Sequence, residues 1–132
     1  MSLEQNKRIA REFLAASAAH DGDRFESLLT DAATYWVQGK RHLYPYSGER
    51  TRAEICQYMR TPSIFKDGLT QTIGAMTAEE NRVAVEVEVT GKAPNGKIYN
   101  NTFHYLLMFR DGKIERVKEY VDTYHAAEIF VA

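Results

Sequence analysis

At 132 residues, with 44% hydrophobic and 27% charged side chains, the chain can bury one core and has the composition of a folded globular domain spanning residues 1–132. Its 17 lysines and arginines balance 18 aspartates and glutamates, and no long run of either sign supplies the electrostatic footprint of nucleic-acid binding. One cysteine, Cys56, rules out an internal disulfide and a multi-cysteine metal site and fits a cytoplasmic location; no secretory signal or membrane-spanning apolar run is present, so no membrane partner is expected.

From Leu3 to His20, Ile9, Ala10, Phe13, Leu14 and Ala16 fall at helical spacing among charged neighbours, which predicts an amphipathic helix stopping at His20-Asp21-Gly22-Asp23. Asp23 is the expected cap of a second short helix carrying Phe25, Leu28 and Leu29, and Ala33-Thr34-Tyr35-Trp36-Val37 reads as a first strand. Gln38 to Arg50, rich in glycine, proline and aromatic residues, reads as a loop covering something apolar, a candidate lid. Thr51 and Glu54 have capping-box spacing and start a third helix with Ile55, Tyr58 and Met59 on one face, ending near Pro62.

From Leu69 onward the pattern is strands and tight turns. Val83, Val85, Val87 and Val89 alternate with polar residues, giving a strand with one buried face. Pro94-Asn95-Gly96 and Asp111-Gly112 read as hairpin turns, so strands near 82–92, 97–110 and 113–122 form an antiparallel meander. With a two-residue loop at each turn, the valine face continues through Thr102, His104, Leu106 and Met108, then Glu115, Val117, Glu119 and Val121. Phe103, Tyr105, Leu107, Arg116, Lys118 and Tyr120 then fall on the outer face with Glu86 and Glu88. A glycine bulge at either turn would shift the pairing by one residue.

In this register His104 lies opposite Glu119 among aliphatic side chains, either as a proton-transfer couple or as a structural ion pair. Candidate ligand contacts are Val87, Leu106, Val117 and Val121 on the same face, with Asn100 and Thr102 near its end. Asp122, an alternative base to Glu119, and His125 lie just past the last strand. Tyr35 and Trp36 alternate in facing, so one of them can line the pocket, and Tyr35 is the choice. His20 at a helix end and His42 in the loop are read as residues without a chemical role. No histidine pair has zinc spacing, and no nucleophile elbow or phosphate loop appears, so neither metal nor cofactor is expected.

The order helix, helix, strand, loop, helix and meander, with Tyr99-Asn100-Asn101-Thr102-Phe103, Phe-Arg-Asp-Gly-Lys-Ile, Lys-Glu-Tyr-Val-Asp-Thr and the tail His125 to Phe130, resembles the SnoaL-like polyketide cyclases of the nuclear transport factor 2-like superfamily. The resemblance implies an α+β fold, a curved antiparallel sheet wrapped around N-terminal helices with a conical apolar cavity, and homodimers formed through the outer sheet face. It also places His104 and Glu119 where those cyclases keep a histidine and an acid, an aspartate being usual at the second position. Ketosteroid isomerases are a contrast: their tyrosine and base fall near Phe13 and Val37, so that isomerisation is not expected. Three functions follow: a cofactor-free acid–base enzyme on a small hydrophobic carbonyl or polyketide-like compound, a binding module for a small hydrophobic molecule, or an association domain using the outer face.

Overall fold

The computed structural model describes residues 2–131. Helix α1 (Leu3–Ala19) is capped by Ser2 and buries Ile9, Ala10, Phe13, Leu14 and Ala16, the predicted stripe. The short α2 (Gly22–Ser27) is capped by Asp21, not by the predicted Asp23, which lies in its first turn. The capping box at Thr51 and Glu54 forms as expected and starts α3 (Arg52–Arg60). A fourth helix, α4 (Thr123–Phe130), is made by the tail, with Asp122 as its cap. Among the described residues no helix is long and apolar enough to cross a membrane.

Strands β1 (Leu29–Val37), β2 (Gly48–Thr51), β3 (Thr70–Glu79), β4 (Arg82–Lys92), β5 (Ile98–Arg110) and β6 (Lys113–Val121) form one sheet in the order β2-β1-β6-β5-β4-β3. β4 to β6 form the predicted meander and β3 extends it, but the sheet is mixed and not antiparallel throughout as expected: β1 joins β6 in parallel. β2 forms inside the predicted loop and pairs with the other side of β1, satisfying backbone groups that would otherwise remain open. Gly91 permits a close crossing, because a Cβ there would sit 2.6 Å from Leu69 Cδ2.

Both expected registers change. Lys92 pairs with Ile98 across a five-residue loop, closed by Ala93 N–H donating to Lys97 O at 2.8 Å, so Val87 faces Phe103 and not His104. At the next turn Asp111 and Gly112, with φ of 49° and 82°, make the predicted two-residue connection, and Arg110 pairs with Lys113. Beyond it Glu115 bulges, and Tyr105 then pairs with Glu119 while His104 pairs with Tyr120. The first slip turns β5 over, and the second returns β6 to its expected facing. Phe103, Tyr105 and Leu107, assigned to the outer face from sequence, therefore point into the core, and Leu107 is fully buried.

Candidate functional site

The concave sheet face, α1, α3, α4 and the segments between them enclose a cavity of ≈ 730 Å³, within the range of small-molecule sites. Its wall is largely aromatic: Tyr35 from β1, Tyr44 and Tyr46 from the 38–47 loop, Tyr58 from α3, Phe65, and Tyr99, Phe103 and Tyr105 from β5. Ala126, Ile129 and Phe130 on the tail helix close one side. Phe65 and Phe130 pack on Tyr99, with ring centroids 5.7 and 5.2 Å apart, which ties the tail to the wall.

Glu119 projects into this cavity between Val117 and Val121, the two inward-facing residues on either side of it along β6. The Tyr35 hydroxyl donates a hydrogen bond to Glu119 Oε1. Among the described residues no side chain bonds Oε2. Burial pushes the carboxyl up to about 7, with the Tyr35 hydrogen bond and the Arg50 guanidinium pulling it partly back. The same burial, followed by the charge of Glu119, holds the Tyr35 and Tyr105 hydroxyls well above the ordinary phenol range. Burial likewise raises Tyr44, Tyr58 and Tyr99. At neutral pH the cavity thus presents one carboxyl poised between its two states and a set of phenols that remain protonated donors.

His104 does not join this carboxyl. It is exposed on the outer face, edge-on to Tyr120 at 6.5 Å, because the five-residue loop before β5 reverses the facing of that strand. The same reversal puts Thr102 and Leu106 outside. Asn100 also points out, where Nδ2 donates to Val89 O and Thr90 Oγ1 at 3.1 and 3.0 Å. Trp36 packs outside on Tyr120, with Lys118 Nζ 5.0 Å from its ring, and its neighbour Tyr35 takes the inward place. Val87 and Val117 are core residues that do not line the cavity, whereas Val121 does. Asp122 is spent on capping α4, accepting from His125 N–H at 3.2 Å. His125 stacks on Tyr99 and accepts the Asn100 N–H at 3.1 Å, and His42 is exposed.

Several cavity residues went unpredicted. Tyr99, Phe103 and Tyr105 were lost with the facing of β5, although their side of the strand is its more aromatic one. Tyr44, Tyr46 and Arg50 lie in the segment read as a candidate lid, and that segment does form part of the wall. It is pinned by Arg41 Nε donating to Ser47 O at 2.9 Å and Ser47 Oγ to Gln38 O at 2.8 Å. His20 also reaches the cavity, with Nδ1 2.9 Å from Thr61 O, a hydrogen bond that requires the proton on Nδ1. Phe13 sits beneath the site, its ring 6.5 Å from Tyr35 and 6.0 Å from Tyr105.

The SnoaL-like domain profile matches residues 10–117. Solved structures with the same fold include an NTF2-like protein of unknown function from Burkholderia pseudomallei, 17% identical with a TM-score of 0.82 over 100% of both chains. Bal32a, from a soil-derived mobile gene cassette, is 19% identical with a TM-score of 0.80, covering 97% of this chain and 98% of its own. An epoxide hydrolase of the LEH-like type from M. tuberculosis is 18% identical with a TM-score of 0.74, covering 96% and 89%. No curated protein sequence matches the chain.

Proposed function

The chain belongs to the SnoaL-like domain family, with the α+β fold of NTF2-like proteins, and on that premise we propose that its cavity binds a small, largely apolar carbonyl or polyketide-like compound and that Glu119 moves a proton on it without a cofactor. The observation that carries this reading is the Glu119 carboxyl projecting into a cavity rich in aromatic rings, one oxygen held by Tyr35 and the other open. Proton abstraction would proceed at Oε2: the C–H pair passes into the adjacent carbonyl to form an enolate, the proton stays on Glu119, and its return to another carbon completes an isomerisation; in a ring closure the enolate carbon instead attacks a second carbonyl of the same molecule, whose π bond opens to an alkoxide that takes the proton from Glu119. Tyr35 orients the carboxylate, and the neighbouring phenols supply donors for the developing oxyanion. His104 has no part in this mechanism.

The test uses 5-nitrobenzisoxazole, a flat apolar molecule in which removal of one C–H proton breaks the N–O bond and releases a coloured phenolate. Its decay should rise with pH through a midpoint near the Glu119 value of about 7. A rate equal to that in buffer, or one indifferent to Glu119, would leave the cavity as a binding site only.

The outer sheet face supports a homodimer. Ala84, Leu106, Lys118 and Trp36 form one row across four strands, and Glu86, His104 and Tyr120 form the next. Opposite charges beside aromatic rings make this patch complementary to a second copy of itself under a two-fold axis. Sedimentation velocity should give a dimer that Leu106→Lys converts to monomer, and a native protein that sediments as a monomer contradicts the proposal.

A further inference from the structure

Among the described residues the cavity wall carries one arginine, Arg50, beside the carboxyls of Glu119 and Glu54; it stands at the third position of β2 and is half-buried. Its only hydrogen bond among the described residues runs from Nη1 to Gly48 O at 3.3 Å, which leaves most of the guanidinium's donors free of them. Of the arginines around it, Arg52 and Arg60 pair with Glu26 at 3.1 and 2.7 Å, Arg116 pairs with Glu49 at 3.6 Å, and Arg41 spends its donors on the Ser47 and Glu49 carbonyls outside the cavity wall. Of the nearby acids, Glu49 pairs with Arg116 and Glu54 accepts from the Thr51 N–H at 2.9 Å, while Glu119 accepts from Tyr35. Among the described residues Arg50 has no carboxylate within ion-pair distance.

The charges of Glu119 and Glu54 act on Arg50 from beyond ion-pair distance, and a guanidinium with open donors offers a planar fork suited to oxyanions. We infer that Arg50 is the anchor for an anionic oxygen of the ligand, so that the cavity takes a flat organic acid (an enol, phenol or carboxylate) with its apolar body on the aromatic wall. This inference rests on the cavity being a ligand site and deepens the reading of Glu119: the same cation would stabilise the enolate that proton transfer creates. It selects oxygen acids over neutral hydrocarbons of the same shape.

Calorimetric titration of the full chain with 2-naphthoate and with its neutral isostere 2-naphthamide tests this directly. The carboxylate should bind at least about tenfold tighter. Arg50→Gln should abolish that preference and Arg50→Lys should retain part of it, a monodentate charge replacing the fork. Glu119→Gln should widen the preference, because a like charge leaves the cavity. Equal affinities in the native protein, or a preference that survives Arg50→Gln, overturn the inference. The two readings fail separately: 5-nitrobenzisoxazole turnover indifferent to Glu119→Gln removes the base, whereas naphthoate preference indifferent to Arg50→Gln removes the anchor.

Discussion

Glu119→Gln is expected to lower the rate of 5-nitrobenzisoxazole decay by at least about 100-fold, the usual size of a positioned general base. The substitution keeps the shape of the side chain and an oxygen that can still accept from Tyr35, so the cavity should persist while the proton acceptor is lost. Tyr35→Phe should act differently. It removes a bond that favours the charged carboxylate, so the pH midpoint moves up from about 7 and the plateau rate survives in part. Stopped assays across the pH range separate the two variants, one losing the plateau and the other displacing the curve.

The same carboxyl should cost stability. Its value is raised from 4.5 to about 7 in the folded chain, so between those values the folded state keeps a proton that the unfolded state has released. Stability therefore falls as pH rises through that window, and the full cost, about 3 kcal/mol, is present above it. Glu119→Gln should accordingly be more stable than the native protein at about pH 8 by up to that amount, with the gain shrinking toward about pH 5. Urea unfolding of both proteins at the two pH values measures it. A gain that does not change with pH would mean that the carboxyl is solvated. Stability surrendered at one position in this way is the usual companion of a reactive group held in apolar surroundings.

The architecture was legible because each element carried its own local signal. The stripe of α1, the capping box of α3 and the valine alternation of β4 are written within a few residues, and all three form. The register was less accessible, since turn chemistry does not count loop residues: Pro94-Asn95-Gly96 sits within a five-residue loop, not a two-residue one. One residue there decides the facing of all of β5. The strand's own composition held the answer, since Tyr99, Phe103, Tyr105, Leu107 and Phe109 share one side while Asn100, Thr102, His104 and Arg110 share the other. Glu119 kept its predicted facing only because the bulge at Glu115 undoes the first slip. Arg50 gave no signal, because Gly48-Glu49-Arg50-Thr51 becomes a strand through the open edge of β1 and not through any alternation of its own. The tail was recognised only as a similarity, and its helix depends on packing Ala126, Ile129 and Phe130 against the cavity wall.

Carbon-detected NMR of protein labelled at the glutamate carboxyl reads the ionisation of Glu119 directly. The resonance lost in Glu119→Gln should titrate with a midpoint near 7, well away from the remaining glutamates. A midpoint at the ordinary value of 4.5 would contradict the account, because a carboxyl already ionised at low pH is not poised to exchange a proton near neutrality.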